Sequence, residues 1–123
     1  MNVIISNSSE QPIYIQIKEQ IKEQILRGDL KKKSALPSIR KLAKDLQISV
    51  ITTKRAYDEL ELEGFIETFP GKGSYVAAQN HEFLKEKQLK MIEEKLIDVI
   101  NDSKAFNISL DEIKQILSVL YEE

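Results

Sequence analysis

The 123-residue chain has no cysteine, no tryptophan and one histidine, His81. Without thiols there is no disulfide, no thiolate metal site and no cysteine nucleophile, and one imidazole cannot build a multi-histidine centre. Several enzyme classes fall away together, and no metal or cofactor is expected. Glycine and proline are sparse, four and three, so they punctuate the chain at a few defined turns. No apolar run approaches the roughly 20 residues of a membrane span, and "MNVIISNSSEQP" lacks the basic start and cleavage site of a signal peptide. A cytoplasmic location without a membrane partner is the expectation. What is present, 41% hydrophobic and 31% charged residues, suits one packed domain with an appendage.

The formal net charge of −2 conceals a segregation. Residues 31–55 carry eight lysines and arginines against Asp45 alone, a balance of +7, while residues 56–123 carry seven basic and fifteen acidic groups, a balance of −8. A basic block inside an acidic chain points to one polyanion-binding face, with the remaining surface repelling non-specific contact. The plain alternative is a solvated charged surface beginning in a lysine-rich loop.

Apolar residues at four-residue spacing in "PIYIQIKEQIKEQILR" (Ile13, Tyr14, Ile17, Ile21, Ile25) predict a helix, with Pro12 suited to its first turn and Gly28 to its C-terminal cap. Ser38 is placed to cap a short second helix, "IRKLAKDL", and Ser49 a third, "VITTKRAYDELELEG", which buries Thr53, Ala56, Tyr57 and Leu60 and ends at Gly64. The period then changes to two. "FIETF" and "SYVA", joined by "PGKG", read as a β-hairpin. Two amphipathic helices follow: one of five or six turns in residues 81–101, and one opened by a capping box between Ser109 and Glu112.

Two helices joined by the tight connection "LQIS" match a helix-turn-helix, and a hairpin directly after the second makes it a winged one. Burial of Thr53, Ala56, Tyr57 and Leu60 turns Val50, Ile51, Lys54 and Arg55 outward, near the end that would enter a major groove of double-stranded DNA. Thr52, Lys54 and Arg55 can donate to phosphates or base edges; Val50 and Ile51 can meet only apolar groups such as a thymine methyl. The bland readings are solvated charges for Arg40 and Lys54, plain helix caps for Ser38 and Ser49, and a solvated face for Asp58, Glu59, Glu61 and Glu63. The glycines of "FPGKGSYV" resemble a phosphate-cradling loop, but the spacing GxxxxGK[ST] and the following helix are both missing. A nucleotide-handling enzyme is therefore not expected.

Residues 36–76, "LPSIRKLAKDLQISVITTKRAYDELELEGFIETFPGKGSYV", resemble the DNA-binding domain of the GntR family of bacterial transcription regulators. "PIYIQIKEQIKEQILRGDL" and the "RAY" of Arg55, Ala56 and Tyr57 resemble its YtrA-like subfamily, whose members add only a short pair of helices after the wing. The resemblance implies a repressor that acts as a homodimer on a palindromic operator. It places Arg40 where the family grips phosphate, Ser49, Val50, Ile51, Thr52 and Lys54 at recognition positions, and Gly71, Lys72 and Gly73 at a wing tip entering the minor groove. Gln47 stands where the family's turn usually has glycine; a positive φ there would cost up to ~1 kcal/mol.

The expected architecture is mainly α with a small β-hairpin: a winged helix-turn-helix in residues 1–78 and a two-helix dimerisation tail in residues 79–123. Leu89, Ile92, Leu96, Val99 and Ile100 of the first tail helix, with Ile113, Ile116, Leu117 and Leu120 of the second, form stripes suited to a second copy of the chain. An unidentified small-molecule effector is a further partner, although no polar cluster in residues 81–123 specifies its chemistry. The rival reading is a protein-interaction adaptor that keeps the winged helix without binding DNA.

Overall fold

The computed structural model describes all 123 residues, Met1–Glu123. In chain order the elements are α1 (Ile13–Leu26), α2 (Ile39–Leu46), α3 (Val50–Leu62), β1 (Ile66–Phe69), β2 (Gly73–Val76), α4 (His81–Ala105) and α5 (Leu110–Tyr121). The class is mainly α with one hairpin, as the sequence implies. The chain divides into two units, Met1–Leu84 and Lys85–Glu123. No helix is long and apolar enough to cross a membrane.

The first unit is built on the face that α1 and α3 share. Ile17, Ile21 and Ile25 of α1 are buried, as are Thr53, Ala56, Tyr57 and Leu60 of α3, and Leu42 and Ala43 of α2 close the bundle. The four residues expected on the inner side of α3 are the four found there. Pro12 caps α1 just ahead of its first turn, its carbonyl accepting from the N–H of Ile15 and Gln16. Gln47 ends α2 in the left-handed region, φ 57° and ψ 47°, so the reversal between α2 and α3 is made without glycine.

β1 and β2 pair antiparallel with Ile66 opposite Val76 and Phe69 opposite Gly73. Ile66, Ser74 and Val76 face inward. The lysine-rich loop extends this sheet in a way the sequence pattern did not announce. The Lys33 N–H donates to the Val76 carbonyl, the Val76 N–H to Ser34 and the Leu36 N–H to Ser74, so residues 33–36 cover the outer edge of β2. A covered edge leaves fewer free backbone groups to recruit another strand.

An N-terminal arm lies along α1. Gln16, Gln20 and Gln24 each clasp one arm residue through both main-chain groups: the N–H of Ser6, Ile4 and Asn2 donates to a glutamine Oε1, and the same residue's carbonyl accepts from Nε2, at 2.6–3.2 Å. The registers agree because four residues of helix rise about 6 Å and two of extended chain about 6.6 Å.

In the second unit α5 opens with the expected capping box, Ser109 Oγ accepting from the Glu112 N–H while Glu112 Oε1 accepts from the Ser109 N–H. α4 runs four residues beyond the expected 101, to Ala105, and within that stretch the Ser103 hydroxyl donates to the Ile100 carbonyl at 2.8 Å. Asn107, φ 57°, reverses the chain towards α5. Between Lys85 and Glu123 only Ser103 is buried.

Candidate nucleic-acid interface

Ser49 begins the candidate surface. Its Oγ accepts from the Thr52 N–H at 3.1 Å and donates to Thr52 Oγ1 at 2.8 Å, so both hydroxyls are fixed at the N-terminus of α3. Thr53, one position on, is buried and donates back to the Ser49 carbonyl. Val50 and Ile51, ahead of it in the same turn, point the other way: they are 45% and 82% exposed, two large apolar side chains standing in water, and Lys54 is exposed with them. Lys54 reaches Asp58 at 2.7 Å across one helical turn, with both partners more than half exposed. A pair of that kind holds by a few tenths of a kcal/mol, so the ammonium is available to a stronger anion.

Ser38 repeats the arrangement at α2, its Oγ accepting from the Lys41 N–H at 3.1 Å. Arg40 is exposed in the first turn with no ion-pair partner, and Lys41 is tied to Asp45 at 3.0 Å. Arg55 is drawn sideways instead. Its guanidinium lies 3.8 Å from the centre of the Tyr14 ring on α1, and its Nε is 3.4 Å from Glu59.

At the hairpin tip the Lys72 N–H donates to the Phe69 carbonyl, closing a turn with Pro70 and Gly71 at its centre; Gly71 has φ 75° and Gly73 φ 98°. Proline then positive-φ glycine is the order of a type II turn. Nothing lies within 4 Å of a Cβ built on either glycine, so conformation and not crowding requires them. The Tyr75 hydroxyl donates to the Lys72 carbonyl, which steadies the tip while the Lys72 side chain stays exposed. Lys33 and Lys72 rim a groove along the wing that Phe69 and Tyr75 also line. Sequence reading missed Lys33 and Tyr75 as lining residues: Tyr75 belongs to β2 itself, and Lys33 is brought to the wing by the extra pairing of residues 33–36.

The carboxylates of α3 do not share one solvated face. Glu59 and Glu63 turn to Lys18 of α1 at 3.2 and 3.1 Å, Glu63 also to Lys22 at 3.6 Å, and Glu61 accepts from the Thr68 N–H of the wing. Burial pulls the Lys18 ammonium towards a lower pKa, but its hydrogen bonds to Glu63 and Glu59 and their charges outweigh this and raise it. The Tyr57 phenol is pushed well above its usual range by burial and donates to the Pro37 carbonyl at 2.8 Å, pinning α3 to the segment that leads into α2. No three histidine, cysteine or carboxylate side chains gather as a metal-binding set.

Residues 13–76 match the model of "Bacterial regulatory proteins, gntR family". The HTH-type transcriptional repressor YtrA of Bacillus subtilis (strain 168) is 38% identical over 111 residues, 90% of this chain and 85% of that protein. A GntR family transcriptional regulator from Listeria monocytogenes has a similar structure, with a TM-score of 0.79 at 26% identity, covering 93% of this chain and 97% of that one. The AraR(DBD) structure in complex with operator ORX1 aligns with a TM-score of 0.55 at 25% identity, over 63% of this chain and 96% of that one. With a winged helix-turn-helix, an exposed α3 N-terminus and these relatives in agreement, the chain belongs to the GntR family of bacterial regulatory proteins, as a DNA-binding transcription regulator.

Proposed function

We propose that the protein is a sequence-specific repressor that binds a palindromic operator as a homodimer. Residues 1–78 form the DNA-binding domain in this reading, and residues 79–123 join the two copies. The observation that carries the reading is the outer face of α3's first turns. Val50 and Ile51 stand exposed on a helix whose opposite side is fully buried, and apolar side chains at the mouth of a major groove meet thymine methyls. Thr52 and Lys54 flank them as donors. Ser38, Arg40 and Ser49 reach phosphates from two helix N-termini, where free N–H groups and the dipole favour an anion. Gly71, Lys72 and Gly73 bring the wing tip against a flanking minor groove, with Lys72 as the charge.

Homodimerisation is supported by the apolar side chains that the second unit leaves uncovered. Leu89, Ile92, Val99 and Ile100 of α4, and Ile116, Leu117 and Leu120 of α5, are each more than two-fifths exposed; Leu96 and Ile113 complete the stripes. Two copies would present two α3 helices to half-sites about 10 bp apart. That the Bacillus subtilis relative is a transcriptional repressor favours repression.

The test is a mobility-shift and footprinting experiment on the DNA upstream of the protein's own gene. Protection of a two-fold symmetric site is expected, and Lys72→Ala should weaken binding to all sequences and flatten the slope of log K against log salt by about one unit. No protected palindrome at moderate salt would refute the operator reading. A footprint half as long, from a protein that sediments as a monomer, would refute the dimer alone.

A further inference from the structure

Arg55 and Tyr14 are 41 positions apart and on different helices, yet they make the closest ring contact of any cation in the chain, 3.8 Å from guanidinium carbon to ring centre. The contact begins a relay of alternating charge between α1 and α3. Arg55 meets Glu59 at 3.4 Å, Glu59 meets Lys18 at 3.2 Å, Lys18 meets Glu63 at 3.1 Å and Glu63 meets Lys22 at 3.6 Å. The far end is again a ring, with the Lys22 ammonium 5.4 Å from the centre of Phe65. Three cations and two anions thus alternate between two aromatic faces, on the helix pair whose packing holds α3 against α1.

We propose that Arg55 is a positioning residue: stacked on Tyr14 and paired with Glu59, it holds the reading helix α3 at its angle to α1 and does not contact DNA phosphate. This rests on the DNA-binding reading above and separates Arg55 from Lys54, its neighbour in sequence. Lys54 is held only by Asp58, one turn along its own helix, so releasing it disturbs no other element. Releasing Arg55 would uncover Tyr14, leave Glu59 to Lys18 alone and remove the one member of the relay that joins the start of α1 to the reading end of α3. A planar guanidinium can lie flat on a ring and pair at its edge together; an ammonium is a point charge that suits phosphate equally well but cannot hold the Tyr14 face and Glu59 at once. At separations of 3.1–3.8 Å the contacts lie far inside the ~8 Å screening length of physiological salt, so the brace persists where DNA binding is measured.

The experiment compares Arg55→Ala, Arg55→Lys, Tyr14→Ala and Lys54→Ala on two probes, the promoter fragment of the protein's own gene and a mixed-sequence duplex, across a salt series. Arg55→Ala and Arg55→Lys should each weaken promoter binding about threefold, the scale of one cation–π contact. Tyr14→Ala should do the same, and the double variant Tyr14→Ala/Arg55→Ala should lose no more than either single one. The salt slope and mixed-sequence affinity should stay as in the parent, whereas Lys54→Ala should lower both. Rescue by Arg55→Lys, with a slope reduced by about one unit in Arg55→Ala, would make Arg55 a phosphate contact and overturn the proposal. A parent protein that binds neither probe refutes the DNA reading instead. The brace is then decided by denaturant unfolding of the parent, Tyr14→Ala, Arg55→Ala and the double variant: a double variant less destabilised than the sum of the singles supports it, and additive losses refute it.

Discussion

Gln47 carries the chain through the left-handed region at the end of α2, where a Cβ crowds the backbone and glycine would not. Gln47→Gly is therefore expected to stabilise the fold by about 0.5–1 kcal/mol, read as a higher denaturant midpoint with an unchanged slope. Tyr57 gives the residue scale a pH dependence. Its phenol holds its proton more tightly in the folded chain than in the unfolded one, so the stability it contributes is complete below a pH of about 10, the ordinary tyrosine value, and is lost as pH rises beyond it. The raised Lys18 acts in the same direction. The unfolding temperature should accordingly fall above that pH, and fall less in Tyr57→Phe, which at neutral pH costs about 1 kcal/mol for the lost bond to Pro37. The helix caps Ser38 and Ser49 and the back-bonded Thr53 were all legible in the sequence, because each bonds within four residues of itself. The stack of Arg55 on Tyr14 was not, since no local pattern encodes which way a long side chain leans once a second helix arrives.

At the scale of elements, the three helices and the hairpin of the first unit follow from periodicity and punctuation, and their inner faces were readable. Two features escaped. Residues 33–36 join β2 through backbone bonds that carry no side-chain signature, and the arm pairs with α1 through glutamines that read as ordinary polar spacers. The four-residue spacing of Gln16, Gln20 and Gln24 was the available signal. Because the arm's hydrogen bonds alternate, its exchange behaviour should alternate too. The amides of Ile4 and Ser6 are expected to exchange more slowly than those of Val3 and Ile5, measured by hydrogen exchange with residue resolution. Gln20→Ala should release Ile4 while sparing Ser6. Equal exchange along residues 2–6 would mean that the clasp does not form in solution.

At the scale of the whole molecule, the first unit buries its apolar faces and the second leaves them in water. Leu96 is 38% exposed and Leu117 46%, on helices whose remaining surface is largely charged or polar. Leu96→Glu/Leu117→Glu is expected to convert the protein to a monomer in sedimentation and to lower operator affinity at least tenfold, the consequence of losing one of two linked half-site contacts. The unfolding of the first unit should be unchanged. Only the amphipathic stripes of this tail could be read in the sequence, because in the proposed homodimer what covers them belongs to another chain.

The arm bears on how this protein can vary. Its three clasps grip main chain alone, so Asn2, Ile4 and Ser6 are interchangeable with almost any residue that keeps an N–H. Proline, which has none, would unhook a rung. The arm can therefore drift in spelling while keeping its place, and its constraint is written sixteen to twenty-four residues into the chain, in the glutamines that hold it.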